Sequence, residues 1–194
     1  MDEAIRERIL EATLVCVGRR GMGGLRVEEV AREAGVGRAT IYRYFRGGRE
    51  QLVSETVTWE VGRFFTRLAE AIQDAPDFRS RLERGLRYAH RTVQDHEILQ
   101  QVLATEPERL IPRLAEMGPL LVAVTRSYLV PLLQAEALRP EIDAEEAADY
   151  LARMILSLID SPGSWDLDDP DQVRELVDTQ VLAGVLAPDV TDVT

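Results

Sequence analysis

The stretch from Val27 to Phe45, VEEVAREAGVGRATIYRYF, constrains the fold more than any other part of the sequence. Ala31 is followed by Gly35 four residues later and by Ile41 ten residues later, a spacing typical of two short helices joined by a tight turn. A small residue at the crossing point lets two helices approach closely. A glycine can adopt the left-handed conformation that ends the first helix. We therefore predict a helix-turn-helix over this stretch.

The second of these helices has an apolar and a polar face. Its polar positions carry basic, small, hydroxylated and aromatic side chains, the types that contact phosphates and base edges in DNA complexes. The same spacing also describes an ordinary helical hairpin, so the charge pattern has to decide between the two readings. The predicted core positions are Val30, Val36, Ile41 and Phe45, and the polar positions are Arg38, Ala39, Thr40, Tyr42, Arg43 and Tyr44.

The charge of the chain is unevenly distributed. The formal net charge of -11 argues at first sight against a nucleic-acid partner. Up to Arg49, however, ten arginines outnumber seven acids, and residues 38–49 contain four arginines and no acid. A solvated helix face usually mixes charges of both signs. A basic N-terminal part on an acidic remainder favours DNA binding by the N-terminal part alone.

Length and composition narrow the class of protein. A chain of 194 residues can form one domain, or a small domain and a larger one. No stretch approaches the roughly 20 apolar residues of a membrane span, and the N-terminus MDEAIRERIL is too charged for a signal peptide. We therefore expect a soluble, cytoplasmic protein without a membrane partner. Cys16 is the single cysteine and lies in an apolar run, which favours a buried, inert thiol.

Helical periodicity covers most of the remaining chain, and nothing in the sequence indicates a strand. The stretch LLVAVTRSYLVPLL is apolar nearly all round, so we expect it to be buried centrally. The C-terminal tail PDVTDVT is expected to fray. The predicted helices run over Glu3 to Arg20, Arg49 to about Gln73, Asp77 onward, His96 to Ala104 with breaks at Pro107 and Pro112, Gly118-Pro119 onward, Glu141 to Ile159, and Pro170 to Leu186.

The N-terminal quarter resembles a known family. A first helix ends on a glycine-rich loop, and LRVEEVAREAGVGRATIYRYF and Gly-Gly-Arg follow, a pattern similar to the N-terminal domain of the TetR (tetracycline repressor) family. The match runs from about Ile5 to Leu52. The resemblance implies an all-α fold, with a helix-turn-helix domain over residues 1–48 and a helical ligand-binding and dimerisation domain over 49–194. It also implies a homodimer that binds a palindromic double-stranded DNA operator and is released by a small-molecule inducer.

The resemblance assigns DNA contacts residue by residue. Arginine can bind guanine with two hydrogen bonds, and a methyl group of alanine or threonine can contact that of thymine. Two caps depart from the family pattern, since Arg26 and Gly37 stand where serine or threonine is usual. Gly48 replaces a common lysine, so a phosphate contact is expected at Arg49 instead, and Arg26 is within reach of another phosphate. The residues implied to face bases are Arg38, Ala39, Thr40 and Arg43, and those implied to contact the backbone are Tyr42 and Tyr44.

Two further sites are implied in the C-terminal part. The last two helices carry apolar stripes with small residues, which suit a dimer interface or equally the core of one chain. The middle helices offer polar and aromatic candidates for a largely apolar ligand, each of which can also be an ordinary core or surface residue. The interface candidates are Leu151, Ile155, Leu158, Val173, Val177, Val181 and Gly184. The ligand candidates are Trp59, Phe64, Tyr88, Arg91, Gln101, Thr125, Tyr128 and Met154.

The sequence offers little for catalysis. His90 and His96 lie six residues apart, whereas two metal ligands on one helix face are spaced three or four residues apart. No cysteine lies close to them in the sequence. The GMGG loop lacks the Lys-Ser/Thr of a phosphate-binding loop. We therefore predict a DNA-binding repressor that is not an enzyme and has no metal or cofactor. Two alternatives stay open, a DNA-binding regulator controlled by a protein partner and a helical lipid-binding or enzymatic domain.

Overall fold

The structure is a computed structural model that describes residues 2–187, and within that range nine α-helices confirm the all-α class. In these residues β pairing is limited to one isolated bridge, between Leu138 and Leu186. No helix of the described part is long and apolar enough to span a bilayer. The predicted fraying of the tail concerns residues 188–194, which lie outside the described range. The helices are α1 (Asp2–Arg20), α2 (Val27–Glu33), α3 (Arg38–Tyr44), α4 (Gly48–Ile72), α5 (Phe78–Gln94), α6 (Glu97–Thr105), α7 (Pro107–Leu133), α8 (Ala144–Asp160) and α9 (Pro170–Leu176).

The described chain packs as two compact units. The first unit contains the chain up to Arg67 together with Val93–Met117, and the second contains Leu68–Thr92 and the described chain from Gly118. Helices α4 and α7 each contribute a part to both units. The predicted domain boundary at residue 48 remains a prediction.

The first unit is built on the predicted helix-turn-helix. Val30, Ile41 and Phe45 are completely buried between α1, α2 and α3, as the spacing predicted. Gly35 has a φ of 63°, the left-handed conformation that ends α2 without steric cost. This short-range pattern therefore folds as the sequence indicated.

The rest of the first unit closes the core from the other side. α4 contributes Leu52 and Val53, and α6 contributes Val102. Cys16 is buried in the same core, and its burial raises the pKa of the thiol. This agrees with the predicted inert role, because a protonated thiol is a poor nucleophile.

The second unit has a separate core of α5, the second half of α7, α8 and α9. Two acidic caps start its helices: Asp143 accepts hydrogen bonds from the backbone N–H groups of Glu145 and Glu146, and Asp169 accepts one from that of Asp171. After α9 the chain continues as a π-helical turn over Val177–Val181. The buried side chains of this core include Phe78, Leu82, Leu86, Leu129, Leu133, Ala147, Ala148, Leu151, Leu167, Val173 and Val177.

Helix bounds in the second half of the chain differ from the prediction in three places. The predicted break at Pro107 is confirmed, since α6 ends at Thr105 and α7 begins at Pro107. The predicted break at Pro112 and the predicted start at Gly118-Pro119 are wrong, because α7 is continuous over Pro107–Leu133. Pro107 occupies the first helical position, where its missing N–H costs nothing, and the RLAEM stretch after Pro112 consists of strong helix formers. α8 begins three residues later than Glu141 because Asp143 caps it, and the last helix ends at Val181 rather than Leu186.

The expected central burial of the LLVAVTRSYLVPLL stretch is also wrong. Leu129 and Leu133 are buried in the core of the second unit. Leu120 is 51% exposed, Val124 is 40% exposed and Tyr128 is 37% exposed. An apolar segment is covered only where neighbouring elements reach it, and no described residue of this chain covers this face of α7.

Candidate nucleic-acid interface

α3 presents one polar face at the surface of the first unit. Its apolar side is fixed by Ile41 and by Phe45, which follows the helix, and both side chains are completely buried. Thr40 and Tyr44 are half-buried at the edges of the polar face. The exposed residues of α3 are Arg38, Ala39, Tyr42 and Arg43, four of the eight predicted DNA contacts.

Arg38 is held by two neighbours in the free protein. Its Nη1 atom lies 2.9 Å from Oε1 of Glu28, in the first turn of α2. Its Nη2 atom lies 3.4 Å from the Tyr42 hydroxyl, and its Cζ lies 5.4 Å from the centre of the Tyr42 ring. The Tyr42 hydrogen bond and the charge of Glu28 raise the pKa of Arg38 further above its ordinary value. The guanidinium is therefore charged and oriented on the exposed face of α3.

Arg43 and Tyr44 form a second arrangement on the same helix. The Arg43 guanidinium carbon lies 5.1 Å from the centre of the Tyr44 ring. The Tyr44 hydroxyl donates a 2.7 Å hydrogen bond to Oδ1 of Asp2, which raises the pKa of Tyr44. Tyr44 was predicted to contact the DNA backbone, and in the free protein its hydroxyl ties α3 to the start of α1.

The two unusual cap residues stand where the sequence placed them. Arg26 precedes α2 and Gly37 precedes α3, both with extended backbone, and neither gives a side-chain cap hydrogen bond. Arg26 is exposed, so its guanidinium is accessible to a phosphate.

The Arg49 side chain forms hydrogen bonds with other residues of the first unit. Its Nη1 donates to the backbone oxygen of Gly23 at 3.0 Å, and its Nη2 lies 2.9 Å from Oε1 of Glu50. The other Glu50 oxygen accepts from Arg113 at 2.7 Å. The hydrogen bonds of Arg49 therefore fix the α1–α2 loop to the start of α4.

Sequence reasoning missed the second support of this loop. Oε2 of Glu106 accepts a 2.7 Å hydrogen bond from the backbone N–H of Gly23 and lies 3.1 Å from Nε of Arg109. Gly21, with a φ of 74°, leaves no room for a Cβ beside the Glu106 carboxylate. The glycine-rich loop was the only signal of this contact in the sequence, because Glu106 lies 83 residues after Gly23.

The predicted ligand residues are divided between the two units. Trp59, Phe64 and Gln101 belong to the first, and Tyr88, Arg91, Thr125, Tyr128 and Met154 to the second. The Trp59 ring already faces a cation, since the Arg63 guanidinium lies 4.5 Å from its centre. Arg91 is exposed and pairs with Asp168 at 2.6 Å. The Thr125 hydroxyl oxygen is buried and has no hydrogen-bond partner within residues 2–187.

A cleft in the second unit does not contain these ligand candidates. It has a volume of about 420 Å³ and is open to solvent. Six of its eight lining residues are charged or polar, so it does not suit the predicted apolar ligand. Its lining residues are Asp77, Phe78, Arg79, Ser80, Glu83, Glu136, Arg174 and Leu186.

The predicted interface residues are mostly inside the second unit. Leu151, Val173, Val177 and Val181 have no exposed surface in the single chain, so their side chains stabilise its own core. Ile155 and Leu158 are partly buried against that core. Gly184 is exposed.

Comparison with known proteins finds helix-turn-helix regulators. A family model described as bacterial regulatory proteins, tetR family, matches residues 9–56. The HTH-type transcriptional regulator BetI of Rhizobium meliloti is 32% identical over 157 residues, which cover 80% of this chain and 76% of that protein. An uncharacterized HTH-type transcriptional regulator of Mycobacterium tuberculosis is 27% identical over 177 residues, covering 90% of this chain and 84% of the relative.

Solved structures share the fold at low sequence identity. A TetR-family transcriptional regulator from Mesorhizobium loti superimposes with a TM-score of 0.67 at 17% identity, over 96% of this chain and 99% of the other. Two further neighbours hold ligands. A regulator from Saccharomonospora viridis in complex with choline has a TM-score of 0.58 at 21% identity, over 96% of this chain and 100% of its own. The regulator FadR from Bacillus subtilis in complex with stearoyl-CoA has a TM-score of 0.57 at 19% identity, over 92% of this chain and 98% of its own.

Proposed function

Because the chain belongs to the TetR family and is a DNA-binding transcriptional regulator rather than an enzyme, we propose that it represses transcription from a palindromic operator read by α3. The observation that carries this proposal is the division of α3 into two faces. Ile41 is completely buried, while Arg38 and Arg43 are exposed on the other side of a seven-residue helix. A repressor of this kind acts on the chromosome, which lies in the bacterial cytoplasm.

Base readout by Arg43 can be tested against a matched arginine. Arg43→Ala removes a side chain placed to reach base edges, so we expect a loss of about 1–3 kcal/mol in discrimination at one base pair of each half-site. Arg46→Ala removes an equal charge from an exposed residue just outside α3, and we expect it to weaken binding evenly across sequences. Fluorescence anisotropy with single-base operator variants measures both. If the two variants show the same sequence profile, Arg43 does not read bases.

A second copy of the chain is the partner we propose for the exposed face of α7. Leu120, Val124 and Tyr128 are spaced four residues apart and so lie on one side of the helix. Exposed apolar stripes of this kind mark association surfaces. A palindromic operator also requires a protein with two-fold symmetry. The proposed interface combines this stripe with the surface of α8 and with Gly184.

The proposed inducer is a small, largely apolar molecule with a polar end. Thr125 supports this proposal, because its buried hydroxyl lacks a hydrogen-bond partner in the described chain and buried polar groups are usually paired. The two ligand-bound neighbours suggest two chemistries, a quaternary ammonium and an acyl thioester. We favour the acyl type, since a long acyl chain fits the proposed largely apolar ligand better than a small quaternary ammonium does.

A thermal-shift experiment distinguishes the two ligand chemistries. A ligand at 100 times its Kd stabilises the folded state by about 2.7 kcal/mol, so a long-chain acyl-CoA should raise Tm and release the protein from operator DNA. Thr125→Val, which removes the hydroxyl at nearly constant volume, should reduce that shift. A rise in Tm with choline and none with acyl-CoA would reverse the choice of ligand.

Control by a protein partner is a second candidate, favoured by the same exposed stripe on α7. Here the stripe would bind a different protein and the regulator would need no small-molecule ligand. A chain that stays monomeric at micromolar concentration, and whose Tm responds to neither ligand type, would support this candidate over the dimeric, ligand-released repressor.

A further inference from the structure

Glu28 stands beside the reading face although it belongs to α2. Its carboxylate is 2.9 Å from Arg38, and the two side chains are 53% and 61% exposed, so the pair lies at the surface from which α3 would read DNA. We propose that Glu28 is a specificity-determining residue that positions Arg38 for base recognition. This inference rests on the proposed function of α3 as the reading helix.

The contacts leave Arg38 free to bind a base. Each terminal nitrogen of a guanidinium carries two N–H groups. Nη2 donates one of its N–H groups to the Tyr42 hydroxyl, and Nη1 lies 2.9 Å from the Glu28 carboxylate as an ion pair, so each nitrogen keeps at least one donor. Two donors in one plane match the O6 and N7 acceptors of guanine. Arg38 thus retains the pair of donors that guanine needs while its orientation is set by two neighbours.

Orientation in the free protein improves recognition. A long side chain loses rotamer freedom when it is fixed at an interface, and prior ordering reduces this cost. In water the Glu28–Arg38 pair is exposed and contributes little to stability. It strengthens when docked DNA excludes water. The consequence should therefore be visible in base preference rather than in stability.

The negative charge of Glu28 also selects the kind of contact. A carboxylate next to Arg38 repels a phosphate, so a role for Arg38 as a simple phosphate clamp is disfavoured. The same carboxylate tolerates a base edge and lowers the freedom of Arg38 to swing toward the backbone. The pair is thus suited to direct readout in the major groove.

Glu29 supplies a matched control in the same turn of α2. Its carboxylate is paired with Nε of Arg20, in α1, at 2.8 Å. Glu28→Gln and Glu29→Gln each remove one negative charge from the first turn of α2 and break one ion pair with an arginine. General attraction to DNA therefore rises equally in both variants, and only Glu28→Gln releases Arg38.

The test compares full-length wild type, Glu28→Gln, Glu29→Gln, Arg38→Ala and the double variant Glu28→Gln/Arg38→Ala on single-base operator variants. The base pair at which Arg38→Ala loses preference identifies the contact of Arg38. We expect Glu28→Gln to reduce discrimination there about threefold to tenfold, and Glu29→Gln to raise affinity evenly for all sequences. In the Arg38→Ala background, Glu28→Gln should leave base preference unchanged. Thermal melting of each variant shows that folding is retained.

Three results would overturn the inference in different ways. If Glu28→Gln has the same sequence profile as Glu29→Gln, Glu28 acts only as a charge. If Glu28→Gln still alters base preference in the Arg38→Ala background, Glu28 contacts the base itself and does not act through Arg38. If wild type shows no sequence preference at all, the proposed function fails, and the role of Glu28 fails with it.

Discussion

α3 and the second half of α7 each have one buried side and one exposed side, but their exposed sides differ in chemistry. In α3, Ile41 is completely buried and the exposed side carries Arg38 and Arg43. In α7, Leu133 is completely buried and the exposed side carries Leu120 and Val124. The apolar side of α3 is covered within the chain, whereas no residue from 2 to 187 covers the exposed apolar side of α7. The first unit therefore presents a charged exposed face on α3, whereas the second exposes an apolar surface suited to association.

The largest expected effect tests whether the two sides of α3 differ in how tightly they are packed. Phe45 is completely buried in the core of the first unit, so we expect Phe45→Ala to lower the free energy of unfolding by about 3–5 kcal/mol. Tyr42→Ala, on the exposed side of α3, should cost less than about 1 kcal/mol. Urea unfolding followed by circular dichroism measures both. Equal losses would mean that the two sides of α3 are not distinguished by packing.

The next effect concerns the exposed side of α7. Val124→Glu would place a charge in the proposed contact with a second copy, which we expect to weaken self-association by about 3 kcal/mol. Ser164→Glu adds the same charge on an exposed loop of the second unit and should leave association unchanged. Sedimentation equilibrium gives both dissociation constants. Indistinguishable values for the two variants would show that this side of α7 is not the interface.

A smaller effect tests how the first unit holds its α1–α2 loop. Gly21→Ala forces a Cβ against the Glu106 carboxylate and places alanine at a φ of 74°, so we expect a loss of about 2 kcal/mol. At Gly35, with a φ of 63°, a Cβ would meet nothing within 4 Å, and Gly35→Ala should cost only about 1 kcal/mol of backbone strain.

Denaturant unfolding of the two glycine variants provides the comparison. Gly21→Ala should cost less in a Glu106→Ala background than in wild type, because the steric conflict is absent there. An equal cost of Gly21→Ala in both backgrounds would indicate that backbone strain alone explains the Gly21 effect.

The smallest expected effect is a pH dependence where α4 meets α6. Nδ1 of His96 accepts from the Leu99 N–H at 3.1 Å, and Nε2 lies 3.5 Å from Oε2 of Glu60. The hydrogen bond to Glu60 raises the pKa of His96 despite burial. The stabilisation is therefore full below the ordinary histidine pKa of about 6.5 and is lost as pH rises through the raised value.

Comparison with Glu60→Gln isolates this contribution. Between pH 6 and pH 8 the free energy of unfolding of wild type should fall by up to about 1 kcal/mol more than that of Glu60→Gln. Parallel pH profiles for the two proteins would show that the pair does not contribute.

The fold of the helix-turn-helix could be predicted because its determinants are local. Ala31, Gly35 and Ile41 lie within eleven residues, and the requirement of a left-handed turn residue is visible in the sequence alone. The exposure of Leu120 and Val124 could not be predicted in the same way. Periodicity gives the apolar side of a helix but not whether another element reaches it.

The same limit applies to the candidate site. The exposure of the α3 arginines could be predicted from the two faces of the helix, but contacts with residues distant in the sequence could not. Glu28 meets Arg38 across a turn, and Glu106 meets Gly23 across a separation of 83 residues. Leu151 and Val173 illustrate the converse, since their stripes suited both a core and an interface, and the structure places them in the core of one chain.

Selection of binding sites from a random pool of duplex DNA by the wild-type protein tests the central claim most directly. If α3 of each chain reads one half-site, the enriched sequence should be an inverted repeat whose centres are about one helical turn or a multiple of it apart. Two chains should bind each duplex. Enrichment of a non-repeated sequence bound by a single chain, or no enrichment at all, would contradict the proposal that paired copies of α3 read a palindromic operator.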